Sequence, residues 1–121
     1  MSPSIDPHSA EVLVDRYLAF HASTDLDGVL SLFAEDAVVE DPVGAPVLRG
    51  RSEIREFYRA THAGNGPLVF ERIGRVLIGG DEIALHVRAR LARDVDGTGM
   101  DVIYLLRVDG ARRIRSLRAF F

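Results

Sequence analysis

The chain has 121 residues, 47% of them hydrophobic and 27% charged, with a formal net charge of −3 and no cysteine. This length and composition indicate one soluble globular domain over residues 1–121, and they exclude disulfide and thiol chemistry. So small a net charge excludes a general nucleic-acid surface, and no apolar run reaches the roughly 18 residues that a membrane span needs.

The first residues, "MSPSIDPHSA", have neither the basic nor the apolar region of a signal peptide. We therefore expect a cytoplasmic protein. The four histidines are scattered and lack the spacing of metal ligands, so we expect no metal site.

Helical patterns dominate the first half of the chain. Asp6 precedes a proline, as at a capped helix start, and apolar residues then recur at helical spacing, which predicts a helix from Pro7 to Ala22. Asp25 can cap a second, short helix that extends to Phe33. "DAVVED" predicts a strand, "DPVGAPVLRG" an extended loop, and Ser52 can cap a third helix.

From residue 68 onward the pattern changes to alternating, β-branched runs separated by turns. These runs are "LVFERI", "RVLIG", "EIALHVRARLAR" and "MDVIYLLRV", followed by "RRIRSLRAFF" after a turn. Helices followed by a strand meander predict an α+β fold, in which helices pack on one face of a curved, mostly antiparallel sheet.

Strand periodicity predicts which side chains share a face. In "MDVIYLLRV", Tyr104 lies on the face that also carries Met100, whereas Asp101 lies on the opposite face. In "EIALHVRARLAR" the apolar residues form one face, and His86, Arg88 and Arg90 form the other. We expect the arginines to be solvated or to contribute to a polar dimer contact.

Four segments together resemble a known family. "RYLAF", "DLDGVLSLFAEDAVVEDPVG", "IREFY" and "SLRAFF" are similar, in order and nearly in spacing, to the Δ5-3-ketosteroid isomerases of the nuclear-transport-factor-like and SnoaL-like fold group. The resemblance spans almost the whole chain. It implies a cone of bent sheet wrapped round a long helix, a deep apolar pocket and a homodimer formed through the sheet.

The resemblance also implies roles for particular residues. Asp41 matches the general base that moves a proton from C4 to C6 of a 3-oxo-Δ5-steroid, and Tyr17 matches the tyrosine that hydrogen-bonds the C3 oxygen. Tyr58 matches a tyrosine that supports this donor, while Phe57 and Phe121 match pocket positions. No metal or organic cofactor is implied, and the expected partner is a small apolar ketone such as a steroid.

One position departs from the family pattern. The second oxyanion donor of the family, a protonated aspartic acid, falls on Tyr104, whose phenol can also donate a hydrogen bond. Met100 shares the strand face of Tyr104 and joins the expected pocket. Asp101 could replace the missing acid only if a bulge inverted the strand parity.

The residues leave alternatives open. A SnoaL-like polyketide cyclase would also abstract an acidic C–H proton with an aspartate. Epoxide hydrolysis of the limonene type requires an Asp-Arg-Asp set, for which Arg88 and Asp101 would have to face the pocket. A non-catalytic ligand-binding or dimerisation module could have kept the pocket without the chemistry.

Overall fold

A computed structural model describes residues 4–121 as three helices and six strands. The helices are α1 (Pro7–Ala22), α2 (Leu26–Ser31) and α3 (Gly50–Asn65). The strands are β1 (Phe33–Glu40), β2 (Leu48–Arg49), β3 (Leu68–Gly79), β4 (Glu82–Leu91), β5 (Met100–Val108) and β6 (Ile114–Phe120). Within this part of the chain, no helix is long and apolar enough to cross a membrane.

The first two helices begin where their caps predict. Oδ2 of Asp6 accepts a 3.0 Å hydrogen bond from the backbone of Ser9, and Oδ1 of Asp25 accepts one of 2.9 Å from Gly28. The expected extension of α2 to Phe33 is wrong, because Phe33 pairs with Ile114 at the start of β1. Strand pairing and full burial of this phenylalanine therefore override the helical spacing.

Helix α3 begins two residues before the predicted cap at Ser52. Its N-cap is Arg49, whose side chain makes no capping bond, but whose backbone N–H donates to Oε1 of Glu53 at 3.0 Å. Gly50 follows at φ +83°, a conformation that suits glycine. The predicted loop before α3 also contains the short strand β2, which pairs with β1.

The predicted α+β class is confirmed. The sheet has the order β2-β1-β6-β5-β4-β3, and all its neighbours are antiparallel except the parallel pair β1–β6. It is curved but does not close, so β2 and β3 are edge strands. Two predicted runs merge into β3, whose register shifts between Ile73 and Leu77, around Gly74 at φ +78°.

The core lies between the sheet and the helices, with α1 against β3 and α3 against β1. The predicted strand parity holds, since β4 and β5 pair in continuous register from Glu82 to Ala89. Val102 and Tyr104 are buried, whereas Asp101 is exposed and bonds Nε2 of His86 at 2.8 Å on the outer face. This parity decides which residues of β5 reach the interior.

Candidate functional site

A cavity of about 330 Å³ opens between α1, α3 and the strands β3, β4 and β5, within the range of roughly 300–1,000 Å³ typical of small-molecule sites. Six of the predicted site residues line it: Tyr17, Asp41, Tyr58, Met100, Tyr104 and Phe121. Its other walls include the apolar side chains of Leu68, Phe70, Ala89, Leu91 and Val102. The tertiary structure therefore brings together residues that are up to 104 positions apart in the chain.

Asp41 is held at the end of β1 by the backbone that follows it. The N–H of Val43 donates to the carbonyl oxygen of Ala119 at 2.8 Å, which fixes this segment against β6. Burial raises the pKa of Asp41 to about 6, and the hydrogen bond from Tyr58 opposes that rise. The carboxyl group is therefore ionised at neutral pH, yet basic enough to accept a proton from a weakly acidic carbon.

Three buried tyrosines surround the carboxylate. The Tyr58 hydroxyl donates to Oδ2 of Asp41 at 3.3 Å, and it lies 3.3 Å from the hydroxyl of Tyr17. Because a phenol has one proton, Tyr58 accepts from Tyr17 while it donates to Asp41. The side chains therefore form a chain of hydrogen bonds from Tyr17 through Tyr58 to Asp41.

Tyr104 reaches this group from β5. Its ring meets that of Tyr17 edge to face, with centroids 5.3 Å apart. Burial raises the pKa of Tyr104 well above its usual value, and the charge of Asp41 raises it further. Burial likewise raises the pKa of Tyr17 and of Tyr58. All three phenols are therefore protonated hydrogen-bond donors at neutral pH.

The predicted pocket residue Phe57 has a different position. It is partly buried and packs on the ring of Tyr58 with centroids 5.2 Å apart, but among the described residues it is not part of the cavity wall. Successive helical residues point about 100° apart, so the helix directs only one of the two aromatics into the cavity. Met100 and Phe121 line the cavity and stay about half exposed at its rim.

Several residues that line the cavity were not predicted from the sequence, most notably His21. His21 follows Tyr17 by four positions on α1, and Thr61 and Asn65 follow Tyr58 by three and seven positions on α3. Side chains at these spacings share a helix face. This periodicity could have identified all three once the tyrosines were assigned to the pocket.

The outer face of the sheet does not supply a water-activating set. Arg88 and Asp101 are exposed there and approach each other to 3.4 Å, on the face away from Tyr104. The geometry therefore disfavours an epoxide hydrolase that would need both in the pocket. Among residues 4–121, no group of three or more histidine or acidic side chains is arranged to hold a metal ion.

The arrangement suits the chemistry of a carbon acid. A single carboxylate in apolar surroundings can move a proton, and phenolic donors nearby can stabilise an oxygen that gains negative charge.

Comparisons with known proteins identify the family of the chain. The family model described as a SnoaL-like domain matches residues 14–116. A steroid Delta-isomerase from Nocardioides simplex is 33% identical over 119 residues, covering 93% of this chain and 91% of the relative. The crystal structure of a candidate polyketide cyclase from Sinorhizobium meliloti has a TM-score of 0.75 at 21% identity, over 95% of this chain and 99% of that one. The chain thus belongs to the SnoaL-like domain family of the nuclear-transport-factor-like superfamily.

Proposed function

We propose that the protein is a steroid-isomerase-like enzyme, which shifts the C=C bond of a 3-oxo-Δ5-steroid into conjugation with the ketone. The observation that carries the proposal is a carboxylate of raised pKa, that of Asp41, in a mainly apolar cavity with the buried phenols of Tyr17 and Tyr104. The 33% identity to a steroid Delta-isomerase over most of both chains supports it.

In this mechanism Asp41 takes the proton from C4 of the substrate and returns it to C6. A pKa of about 6 lies close to neutral pH, which favours a group that must be ionised before the first transfer and must hold the proton before the second. No other group needs to enter the proton transfer. The reaction is an internal transfer, so it consumes no cofactor.

The phenols of Tyr17 and Tyr104 would hold the ketone oxygen while it carries the charge of the dienolate. Each donor of such an oxyanion hole contributes on the order of 3 kcal/mol to lowering the barrier. The low polarity of the other walls strengthens these bonds, because water is excluded from the reacting oxygen.

Tyr58 would couple the base to the oxyanion donors. While Asp41 is ionised, Tyr58 donates a hydrogen bond to it and accepts one from Tyr17. Once Asp41 has taken the substrate proton, it is a weaker hydrogen-bond acceptor, and the hydroxyl of Tyr58 can turn toward Tyr17. The proton of Tyr17 is then available to the substrate oxygen as that oxygen becomes negative.

The decisive experiment is the conversion of 5-androstene-3,17-dione to its conjugated isomer, followed by ultraviolet absorbance. Wild type should turn over, Asp41→Asn should lose several orders of magnitude in kcat, and the neighbouring Glu40→Gln should retain activity, because Glu40 pairs with Arg118. The kcat/KM of wild type should rise with pH through about 6, as Asp41 ionises. An Asp41→Asn variant as active as wild type would refute the assigned base.

If wild type does not convert the steroid, one of the two alternative functions on this fold is favoured. A cyclase would use Asp41 on a different carbon acid. A binding module would instead hold a steroid-like phenol with an affinity that survives Asp41→Asn. Binding and turnover assays on the same two proteins therefore separate the three functions.

We also propose a homodimer formed through the outer face of the sheet. That face carries Ile103 and Phe120, each more than a third exposed, with the guanidinium of Arg118 5.4 Å from the Phe120 ring centre. Sedimentation equilibrium of wild type should give twice the monomer mass, and the Ile103→Glu variant should give the monomer mass. A monomeric wild type at micromolar concentration would contradict the dimer.

A further inference from the structure

The last turn of α3 places one amide side chain on the cavity wall. Asn65 follows Tyr58 by seven residues, close to two helical turns, so the two side chains lie on the same face of the helix. The backbone N–H of Gly66 donates to the carbonyl oxygen of His62 at 2.9 Å, so the helix is regular as far as Asn65. Since Tyr58 and Asn65 both line the cavity, the amide faces the same space as the tyrosine.

A molecule in the cavity can reach this amide. Asn65 is partly exposed, and its amide atoms are not among the polar atoms that packing closes off from solvent. Nη1 of Arg93 donates to the backbone carbonyl oxygen of Asn65 at 2.7 Å. This bond ties the end of α3 to the segment after β4, and it leaves the side-chain amide without a partner in the described part of the chain. An amide has two N–H donors and an acceptor oxygen, so it can bind either a ketone or a hydroxyl.

The other polar side chains in this part of the wall already form bonds within the chain. Oγ1 of Thr61 donates to the carbonyl oxygen of Phe57 at 2.9 Å, and the guanidinium of Arg90 donates to two backbone carbonyl oxygens at 3.2 and 3.3 Å. The strand residues that pair here, Leu68 and Leu91, are apolar and line the cavity. A ligand that extends along α3 therefore meets apolar walls and one available amide.

The spacing along α3 sets the length of the ligand. The hydroxyl of Tyr58 lies 3.3 Å from that of Tyr17, the proposed donor to the ketone oxygen, so this oxygen lies near the level of Tyr58 on the helix. Seven helical residues advance about 10 Å, which separates this oxygen from the amide of Asn65. That span suits two oxygens at opposite ends of four fused rings, and it is too long for one or two rings.

We propose that Asn65 is a specificity-determining residue, whose amide binds an oxygen at C17, the end of the steroid opposite the C3 ketone. The inference rests on the proposed function, in which Tyr17 and Tyr104 hold the C3 oxygen. The amide would donate to a C17 ketone and would accept from a C17 hydroxyl, so both oxidation levels fit. A steroid without an oxygen at C17 would leave the amide unpaired and would bind more weakly.

The test compares two steroids that differ only at C17. Androst-4-ene-3,17-dione has the second oxygen and androst-4-en-3-one lacks it, while both keep the conjugated ketone of the product. Equilibrium dialysis gives both dissociation constants for wild type and for Asn65→Leu, in which leucine keeps a similar size and favours a helix more than asparagine does. Ala63→Leu is the matched control, because it introduces the same side chain at an exposed position of the same helical turn.

The measured quantity is the ratio of the Kd of the monoketone to the Kd of the dione. This ratio should be about fivefold higher for wild type and Ala63→Leu than for Asn65→Leu, the gain expected from one net hydrogen bond. Equal ratios for wild type and Asn65→Leu would overturn the inference, and so would a wild type that binds neither steroid.

The chain also offers a direct spectroscopic readout, which does not depend on the folding of a variant. Asn65 is its only asparagine, and it has no glutamine. In nitrogen–proton NMR of labelled wild type, the side-chain amide signals of this residue type therefore belong to Asn65. They should shift on addition of the dione and much less on addition of the monoketone; an equal response to both would contradict the proposed contact.

Turnover separates this inference from the proposed function. If wild type isomerises 5-androstene-3,17-dione but its Kd ratio equals that of Asn65→Leu, the proposed function stands and the inference fails. If the ratio depends on Asn65 but wild type does not isomerise the steroid, the amide contact stands and the proposed isomerase activity fails.

Discussion

Replacing Asp41 with asparagine should stabilise the fold while it abolishes turnover. Burial raises the pKa of Asp41 from 3.8 to about 6, so ionising the carboxyl group is harder in the folded chain than in the unfolded one. For a group whose folded pKa is raised, the contribution to stability is present below pH 3.8 and is lost as pH rises through about 6. Wild type therefore bears the cost of a buried charge at neutral pH, and the Asp41→Asn variant would not.

The size of the effect follows from the shift. A difference of about two pKa units corresponds to about 3 kcal/mol when the group is fully ionised in both states. With the same two pKa values, the ionisation of Asp41 lowers the free energy of unfolding by about 1 kcal/mol at pH 4.5 and by about 3 kcal/mol at pH 8. The stability advantage of Asp41→Asn over wild type should thus grow by about 2 kcal/mol between these pH values.

Urea unfolding followed by circular dichroism at both pH values gives this difference directly. Replacing the carboxyl group with an amide also changes the hydrogen bond with Tyr58, but the pH dependence isolates the ionisation of Asp41. Glu40→Gln is the control, since it removes a neighbouring acid that pairs with Arg118. An advantage that is the same at pH 4.5 and pH 8 would refute the reasoning, because Asp41 would then titrate alike in the folded and unfolded chain.

Three further predictions concern the tyrosines and one glycine. Tyr58→Phe removes a bond that lowers the pKa of Asp41, so the acidic limb of the pH–rate profile should move above pH 6, and a limb that stayed or fell would contradict this. Tyr104→Phe should lower kcat by about 100-fold with little change in KM, and an unchanged kcat would remove Tyr104 from the oxyanion site. Gly99→Ala should cost about 2 kcal/mol in urea unfolding. Gly99 has φ +75°, and a Cβ there would lie 2.6 Å from a backbone carbonyl oxygen of β4. Gly110→Ala, which meets nothing within 4 Å, should be neutral, and equal costs for the two variants would be the contrary result.

The fold class could be predicted from the sequence because its signals are local. Caps at Asp6 and Asp25 place the starts of two helices, and period-two alternation places the strands and their inner faces. The same alternation assigns Tyr104 to the interior and Asp101 to the surface, since β4 and β5 pair without a bulge over this stretch. The local pattern gave the wrong secondary structure at Phe33, because its pairing with the distant residue Ile114 makes it part of a strand.

The candidate site could be predicted only in part. The resemblance assigned Asp41, Tyr17 and Tyr58 to the site and placed Tyr104 at the position of the second donor, and the strand parity put Tyr104 on the inner face. It misplaced Phe57, because residues 57 and 58 are adjacent in sequence but face different directions on α3. It also passed over His21, whose spacing from Tyr17 becomes informative only once the first tyrosine is known to face the cavity.

By itself the sequence determined the α+β class, the inner faces of the strands and the residue types available for proton transfer, because propensity and periodicity act over a few residues. Only the tertiary structure decided the environment of Asp41. Its raised pKa and the hydrogen bond from Tyr58 both depend on which distant segments exclude water around the carboxyl group. Desolvation is a property of the packed chain as a whole, so no short stretch of sequence encodes it.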